Sequence, residues 1–229
     1  MRLLAAAVLV PLGVRVVRSR HRRFLHPDGR SFAGALEIWG AAEPLGAALL
    51  DRPSRHDVTV RISKGAGTRG TRGDIRGLAV RVGELDLLLS STGTTAVTKR
   101  LPVPRRSFDT VYGSITPYRT TTRKLYLEAV PDPDALPLGG SLASVPPGAA
   151  LLLKASDMTV GRVTLHHELP PTEDESLAFD PIHNTTADLH PTGTIHGTRA
   201  FAYRLSQRWR GATPAAPNPK AVLRTNAHR

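Results

Sequence analysis

Arg199, Tyr203 and Arg210 are the residues whose spacing speaks most directly of chemistry. In a helix, at about 100° per residue, the three fall within about 40° of one another. Ile195, Phe201, Ala202, Leu205 and Trp209 cover a different sector, which would pack on a core. An arginine one turn before a buried tyrosine favours the phenolate and lowers the phenol pKa. A stabilised phenolate is a hard anionic ligand for ferric iron, and tyrosine is one of the few proximal haem ligands. Taken alone, the pair reads equally as a surface i, i+4 contact worth tenths of a kcal/mol. The rest of the chain decides between the two.

Upstream, Arg23-Phe24-Leu25-His26-Pro27-Asp28-Gly29 leads into Ser31-Phe32-Ala33-Gly34-Ala35-Leu36-Glu37-Ile38. Val60-Arg61-Ile62-Ser63 follows, then a glycine-rich loop and Asp74-Ile75-Arg76-Gly77-Leu78-Ala79-Val80. Leu177-Ala178-Phe179-Asp180-Pro181 precedes the Arg199–Tyr203 stretch. In this order the blocks resemble the haem-dependent catalase superfamily, from Arg23 to Gly211, with residues 93–150 matching poorly. The resemblance implies haem b as cofactor and a peroxide or hydroperoxide as substrate.

Residue by residue, the resemblance makes His26 the distal histidine that takes a proton from peroxide and returns it to the leaving oxygen. Ser63 becomes the serine that fixes the imidazole tautomer, Tyr203 the iron ligand and Arg199 its charge partner. Arg23, Arg61 and Arg210 become the arginines that bind the haem propionates. Strand parity agrees, since Thr59, Arg61 and Ser63 share one face while Val58, Val60 and Ile62 share the other. One departure concerns Asp86-Leu87-Leu88-Leu89-Ser90-Ser91-Thr92, where the family keeps an asparagine that orients peroxide. Ser91 stands in its place on an ungapped match, with Thr92 as the alternative. A serine hydroxyl still donates a hydrogen bond, but with shorter reach. The chain is also short for the family, without room for its C-terminal helical domain or its nicotinamide-binding region.

These residues need a scaffold, and the middle of the chain reads as strand. Segments 32–39, 57–63, 76–82, 85–90, 123–130, 150–156 and 159–169 are apolar or alternate with period two. Pro131-Asp132-Pro133-Asp134, Pro137-Leu138-Gly139-Gly140 and Pro146-Pro147-Gly148 break them. The expected fold is α+β, a truncated catalase-like antiparallel β-barrel core with flanking helices. Three regions follow: an apolar and basic N-terminal helix over 1–22, a haem domain over 23–211 and a flexible tail over 212–229.

Residues 3–17 are apolar except for Arg15 and run into Arg18-Ser19-Arg20-His21-Arg22-Arg23, too short a stretch for a membrane span. Two readings stay open: a helix packed on the core, or a peripheral membrane contact through residues 3–23. The expected location is cytoplasmic, with membrane association under the second reading. The net charge of +12, from 31 Lys+Arg against 19 Asp+Glu, could also serve nucleic acid. Aromatics make up only 5% and do not interleave with the basic residues, so no specific nucleic-acid partner is expected. The absence of cysteine excludes disulfides, thiolate haem ligation and cysteine-based zinc sites.

Gly65-Ala66-Gly67-Thr68-Arg69-Gly70 matches a dinucleotide-binding pattern, but Gly70, Thr71, Gly73 and Gly77 would interrupt the helix that such a site needs. It reads as a glycine-rich hairpin loop. His166 and His167, adjacent on a strand, point to opposite faces and are poorly set to chelate one ion. The expected activity is that of a haem peroxidase or weak catalase. A rearrangement of lipid hydroperoxides resembling allene oxide synthesis, or non-catalytic haem binding, are the alternatives.

Overall fold

The structure, a computed structural model, describes residues 28–192. In chain order its strands are β1 (Asp28–Ile38), β2 (Ser54–Lys64), β3 (Arg76–Val82), β4 (Leu85–Ser91), β5 (Tyr112–Gly113), β6 (Tyr118–Arg119), β7 (Lys124–Leu125), β8 (Leu127–Pro131), β9 (Ala150–Ala155), β10 (Met158–Glu168) and β11 (His190–Pro191). Eight of them close an antiparallel barrel in the order β1-β10-β9-β8-β5-β4-β3-β2, while β11, β6 and β7 form a small separate sheet. Two short helices, α1 (Ala48–Asp51) and α2 (Pro171–Ser176), lie in the connections.

Period-two alternation explains why the sheet closes on itself. Val58, Val60 and Ile62 of β2 oppose Val82, Val80 and Leu78 of β3, which in turn oppose Leu85, Leu87 and Leu89 of β4. Each is at most 8% exposed, and with Phe32, Leu36, Tyr112, Leu127, Leu151, Leu153, Val163 and Leu165 they fill the interior. A barrel filled with side chains is a core and not a pore. Any sizeable ligand must therefore sit on its outer surface.

The pairing of β1 with β10 shifts register beside Gly34, and the pairing of β10 with β9 shifts beside Gly161. A Cβ on Gly34 would overlap the Thr164 carbonyl oxygen, and one on Gly161 the Glu37 carbonyl oxygen. Neither obstacle is a side chain able to turn away. Gly161→Ala is expected to cost about 1–3 kcal/mol through overpacking and to lower Tm by several degrees in a thermal melt.

Seven of the eight barrel strands coincide with the strands expected from sequence, within a few residues at their ends. The eighth, β5, is only Tyr112–Gly113 and is too short to show a period. The stretch expected as one strand over 123–130 is divided between β7 and β8, which serve different sheets. The helices expected at 1–22 and around Arg199–Tyr203, and the tail from 212, lie outside the described residues.

Candidate functional site

On the outer face of the barrel, cross-strand pairing sets Gly29 of β1 beside Ser63 of β2, then Gly77 of β3, then Ser90 of β4. Residues directly paired across an antiparallel ladder point to the same side. No side chain in this row is larger than a hydroxymethyl group. With strands about 4.8 Å apart, the strip is roughly 14 Å wide. Gly113 of β5 continues the row, but Thr92 and the Lys99 carbonyl lie against it, 3.1–3.2 Å from where a Cβ would stand.

One residue pair along, Ser31, Arg61, Ala79 and Leu88 form the parallel row. Arg61 is buried, and its guanidinium crosses over Gly29 so closely that a Cβ there would lie 2.6 Å from Nη2. Its Nη1 donates to Asp174 Oδ1 in an ion pair, and the Ser31 hydroxyl donates to the same oxygen. Burial lowers the Arg61 pKa, and Asp174, with Asp28 behind it, works against that shift. Arg61 and Ser63 therefore share the face that strand parity assigns them. Ser63 Oγ is buried, 3.5 Å from the Gly77 carbonyl oxygen.

Ser91 does not share that face. In β4 it follows Leu85, Leu87 and Leu89 in parity and pairs with the buried Tyr112 of β5. Its hydroxyl donates to the Val103 carbonyl at 2.7 Å and accepts from the Arg76 N–H at 2.9 Å, so it is consumed in closing the barrel end. The residue of this stretch that stands beside Ser63, across Gly77, is Ser90. Thr92 has the parity of Ser90 but is turned onto Gly113, outside the Gly29–Ser90 strip. By the period of the strand, Ser91 faces inward with the leucines and Ser90 lies on the outer face with Ser63.

A second cluster ties later chain to this face. Asp86, fully buried on β4, accepts two 2.7 Å hydrogen bonds from the Nε and Nη2 of its cross-strand partner Arg81. It also accepts from the Asp180 N–H at 2.7 Å and from Asn184 Nδ2 at 2.8 Å. Arg81 reaches on to the Ala178 carbonyl and stacks on the Phe179 ring at 4.9 Å. These hydrogen bonds to Asp86 raise the Arg81 pKa against the pull of burial. Asp180 caps the next turn, accepting from the Ile182 N–H at 3.0 Å. The Leu177–Pro181 block is thereby pinned to the barrel.

The glycine-rich loop joins β2 to β3 as a hairpin with no helix in it. Its N–H groups are turned inward: Asp74 accepts from Ala66 and Thr68 at 2.8 Å each, while Lys64 Nζ donates to the Thr68 carbonyl at 3.0 Å. Burial alone would raise the Asp74 pKa, but the donors of Thr68 and Ala66 outweigh it and hold the carboxyl below its usual range. The loop's own carboxylate occupies the position that a phosphate would need.

Arg23, His26, Arg199, Tyr203 and Arg210 lie outside the described residues, as does the 3–23 segment. The three described tyrosines are otherwise engaged. Tyr112 is fully buried, donates to the Phe108 carbonyl at 2.8 Å, and has its pKa pushed up by burial. Tyr118 lies with its hydroxyl 3.4 Å from the Leu88 N–H, and Tyr126 lies under Arg100 at 4.3 Å. Among the described residues no group of three His, Cys, Asp or Glu side chains forms a metal cage. Along the strip Ser63, Gly77 and Ser90 are small and buried, and the Arg61 guanidinium lies across its Gly29 end.

No family model matches the sequence, and no curated protein matches it. By structure the chain is similar to a fungal catalase, with TM-score 0.61 and 16% identity over 90% of this chain and 63% of that one. It is similar also to catalase A from Saccharomyces cerevisiae, with TM-score 0.61 and 14% identity over 88% of this chain and 64% of that one. The chain thus spans less than two thirds of either relative. Likeness at such identities establishes the fold, a catalase-like eight-stranded antiparallel barrel with few helices.

Proposed function

We propose that this protein is a haem-dependent peroxidase or weak catalase acting on hydrogen peroxide or organic hydroperoxides. The observation that carries the reading is the Gly29–Ser63–Gly77–Ser90 strip, a side-chain-poor patch bordered by the buried Arg61 on a catalase-like barrel. Bound haem would supply the iron at which the peroxide O–O bond is cleaved.

The chain's own residues supply the rest. Tyr203 offers a phenolate to the iron, and Arg199 one helical turn before it keeps that phenolate anionic. Arg61, with Arg23 and Arg210, holds the propionates by charge-assisted hydrogen bonds. His26 would take the proton from one peroxide oxygen and deliver it to the other. Ser63 orients that imidazole. Its backbone pairs with Gly29, three residues along the chain from His26. Ser90 offers a hydroxyl where the family's asparagine amide would steady a second peroxide. Its shorter reach is the reason for expecting more peroxidase than oxygen-evolving activity.

The first test is an absorption spectrum and titration of the purified protein with haemin, and an absence of saturable binding overturns the reading. Steady-state assays then divide the chemistries: oxygen release, oxidation of a phenolic donor, and consumption of a fatty-acid hydroperoxide. His26→Ala is expected to retain haemin yet slow the reaction with peroxide by about 10²–10⁴-fold in stopped flow, the usual worth of a positioned general base. A wild-type rate would leave His26 a structural role. Ser90→Asn is expected to raise oxygen release relative to phenol oxidation. Ser91→Ala should instead cost about 1–3 kcal/mol in a thermal melt, because it strands the buried Arg76 N–H. A reversed pattern would return the role to Ser91.

A further inference from the structure

Arg61 is paired with a carboxylate, Asp174, that the sequence does not single out. We propose that Asp174 is a built-in competitor for Arg61, and that α2 is a strap that leaves Arg61 when a porphyrin bearing carboxylates docks. The proposal rests on the haem reading above and adds to it how the site is kept before loading.

Three observations carry it. Asp174 Oδ1 accepts from both Arg61 Nη1 and the Ser31 hydroxyl, two buried donors on neighbouring strands beside the small-residue strip. Within α2, Asp174 alone is partly buried; Pro171, Thr172, Glu173, Glu175 and Ser176 are all exposed, and none of the helix is buried in the core. Among the described residues the segment is also tied at its ends, by the Leu169 N–H on the Ser31 carbonyl and by the Asp86 cluster at Ala178–Asn184.

A short segment with few buried apolar contacts belongs to the low-stability end of a fold, where local opening occurs. A buried guanidinium without a counter-ion would be strongly destabilising. Asp174 neutralises it in the unloaded protein, and a propionate then replaces one carboxylate by another. The exchange leaves Arg61 paired throughout, while Asp174 taxes the affinity for any ligand that uses it.

Iron-free protoporphyrin IX and its dimethyl ester, which lacks the two carboxylates, separate the possibilities by Soret absorbance titration. Asp174→Asn is expected to tighten binding of the free acid by about tenfold, within the usual range of coupling between sites, and to leave the ester unchanged. Glu173→Gln, an exposed neighbour, should change neither. Should Asp174→Asn prove unstable, hydrogen exchange on the unmodified protein gives the same answer: amides of residues 172–177 lose protection when the free acid is added and keep it with the ester. Equal tightening toward both porphyrins, or unchanged protection on loading, overturns the strap and leaves the haem reading standing. Failure of haemin and both porphyrins to bind overturns the haem reading, and the strap with it.

Discussion

Asp86→Ala is expected to destabilise the protein by about 3–5 kcal/mol, lowering Tm by roughly 6–20 °C for a chain of this size. Asp86 is fully buried and accepts from Arg81, the Asp180 backbone and Asn184 at once. Truncation leaves an unpaired guanidinium and two unmet donors at the place where the Leu177–Pro181 block meets the barrel. Adding Arg81→Met should recover part of the loss, because the second change removes the orphaned charge. The exposed pair Arg30–Glu168, with side chains 38% and 42% exposed, supplies the contrast: Glu168→Ala should cost under about 1 kcal/mol. Scanning calorimetry of the three variants checks both statements. Similar losses for Asp86→Ala and Glu168→Ala would show that the buried cluster is not an anchor.

Tyr203→Phe is expected to abolish the ferric phenolate absorption of the haemin-loaded protein altogether. The substitution keeps the ring and removes its oxygen. Replacement by another tyrosine is barred by the surroundings of the other three: Tyr112 donates its hydroxyl inside the core, Tyr118 lies beside the Leu88 amide, and Tyr126 is covered by Arg100. Resonance Raman and visible spectra of the variant give the answer independently of turnover. An unchanged phenolate signature would move the ligand elsewhere.

Much of this surface was legible in the sequence because strands carry their own arithmetic. The limits 76–82 and 85–90 already imply a two-residue turn, and counting back from it pairs Gly77 with Ser90 and Arg81 with Asp86. The structure has that hairpin, with Gly83 at φ +56° in the turn. Ser91 rests on an ungapped match through three successive leucines, Leu87-Leu88-Leu89, which hide the alternation that sets it inward. Asp174 left no trace, since its partner Arg61 lies 113 residues away and α2 has no apolar face to give it a period. β5 was illegible for a simpler reason. Two residues hold no pattern, and only the barrel's need to close defines them.

That closure also governs how the chain emerges from a ribosome. β1 pairs on one side with β2, within its first few tens of residues, but its other partner is β10, more than 120 residues further on. At about 5–20 residues per second, the free edge of β1 stays open for roughly 6–25 s while the intervening strands are made. During that interval Phe32, Leu36 and Ile38, all at most 2% exposed in the finished barrel, line a sheet with no lid and an unpaired rim. Nascent chains stalled before residue 158 should therefore recruit chaperones and be cut readily by protease, and chains stalled after the β10 seam has formed should not.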